Sequence, residues 1–337
     1  MKSKSLVCVK YGFNLKKNLK FIDVNISKLK PNEVQIEVFA ASVNPADYKI
    51  IYGFARIVKN YPCPFAVGFD LAGVIVGKGV DVQELNIGDE VYSKVPWDQM
   101  GTITQIINVR SDMVSLKPRN ISFSEAASLP LVSCTVLDSF NVAEIKKGTK
   151  LLIIGGSGGI GTFAIQYAKY LGAYVYVTTS SANVEFVKSL GADEVIEYDK
   201  VDFRYKLDNL DVVFDAVGGK YAGQSLKVVK RGGKIVSIAG HHDDETLSKL
   251  EISTIIRILF RLKGAFLMFR MKKKNVLYKH VWSYPNRDSL NIIRELVENA
   301  KIKPVVDKEY QFADAINALT YLQTKRATGK VVIKIKS

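Results

Sequence analysis

Hydrophobic and polar residues follow two different patterns along this chain, and the change lies near residue 122. Before that point, apolar and polar residues alternate in short runs that are separated by glycine and aspartate. Such alternation predicts half-buried strands joined by turns. The predicted strands cover 34–38, 71–76 and 90–93. Because helical periodicity is weak here, residues 1–122 are predicted to form a small domain of β-barrel type.

After residue 122 the pattern becomes helical and then alternates between strand and helix. The tetrapeptide Ser122-Phe123-Ser124-Glu125 has the pattern of a capping box, and Pro130 predicts a break or kink within a helical segment over 125–143. The predicted strands are 150–154, 174–179, 194–198, 211–216 and 233–239, and the helices between them include 160–171 and 183–190. Gly172 and Gly191 follow these two helices as C′ residues. The alternation predicts a parallel, doubly wound sheet.

The C-terminal part is predicted to return to the first domain. Its pattern predicts helices over 289–300 and 313–323 and strands over 305–306 and 330–335. A closing strand after an α/β block is expected to pair with the earlier β-rich part. We therefore predict a discontinuous domain of 1–122 and 275–337, into which a domain of 123–274 is inserted.

The segment 252–274 fits neither pattern. Its apolar residues are interrupted by Arg257, Arg261 and Lys263, and it ends in the basic run Arg270 to Lys274. Charges at this spacing exclude a simple membrane span. Two interpretations stay open: a helix and loop packed on the protein or on a partner subunit, or a basic amphipathic element that makes a peripheral contact with a membrane surface.

The charge balance narrows the set of partners. The chain has 48 Lys and Arg against 33 Asp and Glu, a net charge of +15. A basic surface attracts a phosphorylated cofactor or an anionic membrane, although a lysine-rich background composition gives the same balance. Nucleic acid is not an expected partner, because the sequence lacks zinc-finger spacing, a basic zipper and an aromatic platform for single strands.

The cysteines and the N-terminal residues give information about the cellular compartment of the protein. Three widely spaced cysteines, Cys8, Cys63 and Cys134, do not form a disulfide framework. Only four apolar residues, Leu6 to Val9, precede Lys10, which is too short for the core of a signal peptide. A reducing compartment such as the cytoplasm is expected.

The most informative motif is the glycine cluster from Gly155 to Gly161. It follows the apolar strand Leu151 to Ile154 and precedes a helix. Glycines permit a tight turn and a close approach of the backbone, and the first turn of the helix offers free N–H groups to a pyrophosphate. In its strand–turn–helix context the motif predicts dinucleotide binding. The predicted pyrophosphate cradle consists of Gly155, Ser157, Gly158, Gly159 and Ile160. A flavodoxin-like fold with a different ligand is the alternative.

The end of the second strand of this sheet bears on which dinucleotide binds. A fold specific for NAD places Asp or Glu there, to accept from the ribose 2′-OH. This chain instead has Thr178-Thr179-Ser180-Ser181, and no acid precedes Glu185. Hydroxyl groups donate to a 2′-phosphate that an acid would repel, so NADP(H) is predicted. The residues predicted to face the 2′-phosphate are Thr179, Ser180, Ser181, Lys188 and Tyr198.

A zinc site is not predicted. His241, His242 and His280 are the only histidines, and none of them lies at ligand spacing from a cysteine. His241 and His242 are expected at the exit of the last strand of the parallel sheet, near the cofactor or in solvent.

Several segments around the glycine cluster resemble those of a known family. They are Val43-Asn44-Pro45-Ala46-Asp47-Tyr48-Lys49, the stretch from Pro64 to Gly73, Gly88-Asp89-Glu90-Val91 and Gly329-Lys330-Val331-Val332. Over almost its full length the chain resembles the medium-chain dehydrogenase/reductase superfamily, in its zinc-free quinone oxidoreductase branch. Zinc-dependent members have G-H-E where this chain has Gly68-Phe69-Asp70, and they carry a four-cysteine lobe that this sequence lacks.

The resemblance implies a fold and a set of roles. The fold is α/β: a Rossmann doubly wound parallel sheet inserted into a GroES-like β-barrel catalytic domain. Asn44 would lie at the nicotinamide edge, and Thr135 would lie near the nicotinamide. Ile238 and Gly240 would line the same half of the cofactor, with Lys330 nearby. Homodimers that pair through the nucleotide domain are common among such relatives, so a homodimer is expected here.

The implied activity is the transfer of a hydride from NADPH to quinones or to the C=C bond of α,β-unsaturated carbonyls, without zinc. Negative charge then grows on the acceptor's carbonyl oxygen, and a donor must meet it. The catalytic candidates are Asn44, Tyr48, Lys49 and Tyr52, while water is another source of the proton. The alternative is a non-catalytic NADPH-binding redox sensor or a membrane-associated partner protein, whose cofactor site would look the same.

Overall fold

A computed structural model of the chain describes residues 2–336. The strands are β1 Lys2–Cys8, β2 Leu19–Asn25, β3 Glu33–Val43, β4 Phe65–Ala66, β5 Asp70–Lys78, β6 Glu90–Lys94, β7 Ile106–Arg110, β8 Val114–Leu116, β9 Lys150–Ile154, β10 Tyr174–Thr179, β11 Glu194–Glu197, β12 Leu210–Asp215, β13 Val229–Ser237, β14 Leu277–His280, β15 Val306–Gln311 and β16 Lys330–Lys334. The α-helices are α1 Leu15–Asn18, α2 Pro45–Ile51, α3 Phe123–Ala127, α4 Pro130–Ala143, α5 Gly159–Tyr170, α6 Val184–Ser189, α7 Tyr221–Ser225, α8 Asp244–Lys249, α9 Thr254–Lys273, α10 Arg287–Glu298 and α11 Ala315–Gln323.

The contacts divide the chain into two compact units. Unit 1 contains the residues up to Cys134 together with those from Tyr284 onward, and unit 2 is Thr135–Ser283. The first boundary lies within α4, and the second follows β14. The predicted domain limits, 1–122 with 275–337 and 123–274, stay a prediction.

Unit 2 contains a six-stranded sheet in the order β11-β10-β9-β12-β13-β14. All five neighbouring pairs in this sheet are parallel. This is the strand order of the Rossmann fold. Its central strands are buried along their length, as the apolar runs Leu151–Ile154 and Val212–Phe214 require. The prediction of a doubly wound parallel sheet is confirmed.

The sixth strand, β14, was not predicted. It is only four residues long and directly follows the basic end of α9. His241 and His242 follow β13, the strand after which they were predicted, although β13 is not the last strand of the sheet. His280 is instead the last residue of β14.

The helix ends in unit 2 agree with the sequence signals. Gly172 and Gly191 follow α5 and α6 with φ of +79° and +105°, the left-handed conformation that glycine adopts without strain. In unit 1, Ser122 caps α3 and its partner Glu125 completes the capping box. Pro130 is the first residue of α4, so the predicted interruption is a break between two helices rather than a kink.

Unit 1 is built on two sheets. The larger has seven strands, ordered β15-β16-β3-β5-β6-β8 with β7 paired to β3, and the smaller has the order β2-β1-β4. The strands pair antiparallel except for β15 and β16. The C-terminal strand β16 lies beside β3. Fully buried Val34, Ile36 and Val38 alternate along β3 with less buried polar neighbours, which fixes the core face of the strand.

The segment 252–274 is occupied by a single helix of 20 residues, α9. Six of its large apolar side chains are exposed: Ile255, Ile258, Leu259, Leu262, Phe266 and Phe269. Over residues 2–336, no helix combines the length and the apolar character that crossing a membrane requires.

Candidate active site

A buried carboxylate, Asp70, is the centre of a polar network in unit 1. It begins β5 and is 0% exposed. Its Oδ2 accepts hydrogen bonds from Ser42 Oγ at 2.9 Å and from Asn44 Nδ2 at 2.8 Å. Its Oδ1 accepts from the backbone N–H of Leu131 at 2.7 Å, in the first turn of α4. A helix N-terminus stabilises a negative charge, so the end of α4 contributes to holding this anion.

Lys330 supplies the compensating charge. Its Nζ donates to Asp70 Oδ2 at 3.1 Å, to Asn44 Oδ1 at 2.6 Å and to the carbonyl of Val43 at 3.4 Å. All three N–H bonds of the ammonium are therefore used, and its side chain is 6% exposed. The resemblance placed Lys330 near the nicotinamide. The structure gives it a direct role in holding Asn44.

Asn44 is held at both ends of its amide. Its Nδ2 donates to Asp70 and its Oδ1 accepts from Lys330. Because one partner only accepts and the other only donates, the orientation of the amide is determined. The oxygen also accepts from the backbone N–H of Asp47 in a capping box, so the second N–H of the amide is the group that remains for a further ligand.

Asp47 is a second buried carboxylate beside this network. Its Oδ2 accepts from the backbone N–H of Asn44 at 2.6 Å, and no side chain or backbone hydrogen bond is found for its buried Oδ1 among residues 2–336. Burial raises the pKa of Asp47 to about 7, against the opposing hydrogen bond from Asn44. The nearby charge of Asp70 raises this pKa further and that of Lys330 lowers it. Asp47 is therefore partly protonated near neutral pH.

The structure brings two of the three other catalytic candidates together. Tyr48 and Tyr52 lie one turn apart at α2 with their ring centroids 5.6 Å apart. Tyr48 is buried, and burial together with Tyr52 raises its pKa. The hydroxyl of Tyr52 is hydrogen-bonded to the side-chain amide of Gln323. Lys49 lies apart from the tyrosine pair on the exposed side of α2, where partial desolvation and the neighbouring Lys325 lower its pKa.

Thr135, a predicted nicotinamide neighbour, lies one turn after Leu131 on α4. It is buried, and its backbone carbonyl accepts from Ser139 Oγ at 2.7 Å. The helix that presents Thr135 is thus the one whose first turn binds Asp70.

In unit 2, the glycine turn is packed so tightly that side chains are excluded. Gly155 has φ of +90°. A Cβ on Gly156 would lie 2.0 Å from Val177 Cγ1, and one on Gly161 would lie 2.3 Å from the carbonyl oxygen of Gly155. A Cβ on Gly158 would meet nothing closer than 3.8 Å. Gly156 and Gly161 are therefore required by packing, while Gly158 borders open space.

The turn leads into a helix end that no side chain caps. Gly158 is the N-cap of α5 and provides no side-chain acceptor. The first N–H groups of a helix have no partner within the helix. The predicted cradle residues Ser157, Gly158, Gly159 and Ile160 lie here and are partly exposed. These features fit a dinucleotide diphosphate, which needs unblocked N–H donors and space for close approach.

The corner at the end of β10 contains donors that already bind an anion. The backbone N–H of Ser181 donates to Asp199 Oδ1 at 3.1 Å, and Ser181 Oγ donates to the same oxygen at 3.0 Å. These hydrogen bonds lower the pKa of Asp199. Thr179 Oγ1 is buried without a hydrogen-bond partner in the described part of the chain, and Ser180 Oγ accepts from Asn183 Nδ2 at 3.3 Å. Sequence reasoning missed Asp199, because it follows β11 rather than β10.

The two other predicted phosphate-binding residues lie at the surface of unit 2. Lys188, on α6, forms an ion pair with Glu185 at 3.0 Å. Tyr198 is exposed, and its backbone N–H donates to the carbonyl of Thr179 at 3.0 Å. Tyr198 therefore lies at the same corner as Thr179.

A third buried carboxylate, Asp215, organises the loops after β12 and β13. Its Oδ1 accepts from the backbone N–H groups of Val217 at 3.0 Å and Gly218 at 2.8 Å. Burial raises its pKa, against these hydrogen bonds. Gly218 lies against the backbone of Ala239, where a Cβ would come 2.1 Å from the carbonyl oxygen. The predicted nicotinamide-lining residues Ile238 and Gly240 flank Ala239, so Asp215 fixes the loop that presents them.

Two of the histidines form a pair in unit 2. The rings of His242 and His280 are 4.4 Å apart, and neither Nδ1 has a hydrogen-bond partner among residues 2–336. Burial lowers the pKa of His280 to about 4, with a further contribution from His242. In the described part of the chain, no three His, Cys, Asp or Glu residues are grouped so that they could hold a metal ion.

The chain matches models of two families. Residues 30–119 match the alcohol dehydrogenase GroES-like domain, and residues 190–333 match the family described as zinc-binding dehydrogenase. It is 33% identical to the 2-methylene-furan-3-one reductase of Solanum lycopersicum over 92% of this chain and 74% of that protein. The chloroplastic NADPH-dependent alkenal/one oxidoreductase of Arabidopsis thaliana gives the same identity and coverage. The quinone oxidoreductase from Coxiella burnetii has a TM-score of 0.87, at 31% identity over the whole of both chains.

The chain belongs to the medium-chain dehydrogenase/reductase superfamily, in its quinone oxidoreductase-like branch. The prediction of the family and that of a Rossmann sheet combined with a GroES-like domain are confirmed.

The first prediction concerns the packing of the glycine turn. Gly161→Ala is expected to lower the free energy of unfolding by about 1–3 kcal/mol, because its Cβ would overlap the backbone of Gly155. Gly158→Ala, whose backbone has φ of −78°, is the matched control and is expected to match the wild type. Urea denaturation followed by far-UV circular dichroism measures both. Equal destabilisation by the two substitutions would contradict the packing argument.

The second prediction concerns Asp47 and pH. The pKa of Asp47 is raised from 3.8 to about 7 on folding, so its contribution to stability is present at low pH and is lost as the pH rises through this window. The free energy of unfolding of the wild type relative to Asp47→Asn should therefore fall between about pH 4 and pH 7, by at most about 1.4 kcal/mol per pH unit, and then level off.

Asparagine keeps an oxygen that accepts from the N–H of Asn44, so this comparison isolates the charge. Asp23→Asn, at an exposed position, is the control for the loss of one carboxyl group. A difference that rises with pH would mean that the fold favours the ionised form of Asp47.

Proposed function

We propose that this chain is an NADPH-dependent oxidoreductase that reduces quinones or the C=C bond of α,β-unsaturated carbonyls. The observation that carries the proposal is the glycine turn before α5, whose packing excludes side chains and leaves the helix end free for a diphosphate. The acceptor class is supported by the relatives, which are named 2-methylene-furan-3-one reductase and NADPH-dependent alkenal/one oxidoreductase.

In this proposal the two units supply different parts of the chemistry. In unit 2, backbone N–H groups from Ser157 to Ile160 bind the diphosphate, and Ser180 and Ser181 receive the 2′-phosphate with Lys188 and Tyr198 nearby. In unit 1, Asn44 presents its remaining N–H to the nicotinamide edge. NADPH, when bound, supplies the hydride. The protein contributes binding, orientation and electrostatics.

Charge that develops on the acceptor's carbonyl oxygen needs a donor. Tyr48 has a raised pKa and therefore remains a protonated phenol at neutral pH. The hydroxyl of Tyr52 accepts from Gln323 and keeps its own hydrogen for donation. We propose that one of these two phenols donates to that oxygen, and that Lys49 acts through its charge at the surface. Water is the other proton source.

A non-catalytic NADPH-binding redox sensor, or a membrane-associated partner protein, is the second candidate. The pairing of His242 with His280 and the exposed helix α9 are features that reduction of an enone does not use. These two features favour a binding or sensing role in addition to catalysis. They do not favour a loss of catalysis, because Asp70 and Lys330 still hold the side chain of Asn44.

We also propose that the protein is a homodimer in a reducing compartment such as the cytoplasm, with a peripheral membrane contact through 252–274. Cys63 is an exposed free thiol, which suits a reducing environment. The four-residue strand β14 ends the parallel sheet in unit 2 and offers an open edge to a second copy.

The third prediction tests the activity. NADPH oxidation by the purified protein should accelerate on addition of a quinone or an alkenal, and Asn44→Ala should lower kcat/KM by at least tenfold. The loss follows from removing the group that Asp70 and Lys330 hold in place. Asn317→Ala, a surface substitution on α11, is the matched control. NADPH binding without turnover on any acceptor would favour the non-catalytic candidate.

The fourth prediction tests the cofactor. Titration of NADPH and NADH against intrinsic fluorescence should give tighter binding of NADPH. Asp199→Asn should tighten NADPH binding further, by about fivefold, because it removes a carboxylate that competes with the 2′-phosphate for Ser181. NADH binding should not change. Asp81→Asn, an exposed residue of unit 1, makes the same charge change and should have no effect. Tighter binding of NADH by the wild type would overturn the choice of NADP(H).

A further inference from the structure

The helix α9 is apolar on two opposite sides. Its inner side packs on unit 2 through Gly264 and Met271, which are buried, and through partly buried Leu267. Phe260 contacts the ring of His242 at 5.6 Å between centroids. A helix of the protein surface normally turns polar residues outward, and α9 does not.

Its outer side is a continuous apolar stripe. At 100° per residue, the six exposed apolar residues all fall within about 60° of the position of Ile255. Leu262 and Phe266 lie near the middle of the stripe, and they are 67% and 73% exposed. A stripe of this length, with two phenylalanines, is too large to be scattered surface hydrophobicity. We define the outer stripe as Ile255, Ile258, Leu259, Leu262, Phe266 and Phe269.

The charges around the stripe have one sign. From Thr254 to Lys274 there are seven Lys and Arg and no Asp or Glu. Arg261 is paired with Asp244 at 2.6 Å, and Lys274 Nζ donates to the carbonyls of Leu226 and Val229, so these two belong to the fold. Lys263, Arg270, Lys272 and Lys273 are exposed, and no ion pair is found for them within residues 2–336. Arg270 lies over the ring of Phe266 at 5.7 Å.

The apolar stripe and its basic surroundings together favour one of two partners that could cover the stripe: a second copy of the chain or an anionic bilayer. A two-fold contact of α9 with the same helix of a second copy would bring like charges together. An anionic bilayer offers acyl chains to the stripe and phosphates to the flanking cations. Charge complementarity therefore favours the bilayer.

We infer that α9 is a docking surface for an anionic lipid bilayer, in which the outer stripe enters the interface between headgroups and acyl chains while Lys263, Arg270, Lys272 and Lys273 bind lipid phosphates. This inference rests on the proposed peripheral membrane contact and names its residues and its lipid class. The helix lies in the plane of the membrane, because its inner face stays packed on unit 2.

Vesicle flotation of the full-length protein tests the inference. The protein should float with vesicles that contain phosphatidylglycerol and stay in solution with vesicles of phosphatidylcholine alone. Raising the salt concentration should reduce the floating fraction, since the Debye length shortens.

Two sets of substitutions separate the contributions of charge and apolar surface. Changing Arg270, Lys272 and Lys273 together to Gln should weaken binding on the order of a hundredfold, since each cation near an anionic surface contributes roughly fivefold. Changing Lys10, Lys16 and Lys17 together to Gln makes the same net-charge change on unit 1 and should have little effect. Changing Leu262, Phe266 and Phe269 to Ser should abolish flotation, whereas Val80→Ser with Ile87→Ser, both exposed in unit 1, should not.

Two outcomes would overturn the inference. One is equal flotation of the wild type and the Gln variant of α9, which would exclude anion recognition by these cations. The other combines two observations: the wild type does not float, and the variant with Leu262, Phe266 and Phe269 changed to Ser has a lower oligomeric state than the wild type by light scattering. This result would mean that the outer stripe binds a second copy of the chain. NADPH oxidation with a water-soluble acceptor in the absence of vesicles should be unchanged in every variant. Failure of that assay in the wild type would instead contradict the proposed function.

Discussion

The carboxylate of Asp70 is the group on which the arrangement in unit 1 depends. Its two oxygens accept hydrogen bonds from Ser42, Asn44, Leu131 and Lys330. These donors come from separate parts of the sequence, including the last strand, so one buried charge connects the beginning and the end of the chain. A buried ion pair adds little net stability, because desolvation offsets the attraction. Its contribution here is orientation.

The orientation matters because Asn44 has a single way to satisfy its amide. An ammonium on the oxygen and a carboxylate on the nitrogen leave the second N–H of the amide in a fixed position. An amide held in this way loses little entropy when a ligand binds. Asp47 adds a pH-sensitive element, since its raised pKa places the titration of a neighbouring carboxyl close to neutral pH. The same buried cluster therefore combines the fixed amide of Asn44 with the carboxyl group of Asp47, whose protonation changes with pH.

Local patterns were sufficient to predict the fold class, because alternating strands and helices with C′ glycines are encoded within a few residues. The hairpin of β1 and β2 and the strand β14 were not predicted, since short strands depend on their partners. In the candidate site, the glycine turn and Asn44 came from motifs. Asp199 and Gln323 did not, because they reach Ser181 and Tyr52 from other elements. A contact between residues that are far apart in the sequence produces no motif of fixed spacing from which it could be predicted. For Asp215 the sequence contains a weak indication of a functional residue, because it is an acidic residue at the end of an apolar strand.

Asp199 places a negative charge at the corner after β10, where the 2′-phosphate is proposed to bind, and its hydrogen bonds identify the donors that hold a negative charge there. The N–H and hydroxyl of Ser181 lower the pKa of this exposed carboxyl, which means that they stabilise negative charge at that point. Donors that stabilise a carboxylate also stabilise a phosphate, which has more acceptor oxygens. In the proposed cofactor site, Asp199 therefore competes with the 2′-phosphate for the donors of Ser181, and we expect this competition to weaken the preference for NADPH over NADH.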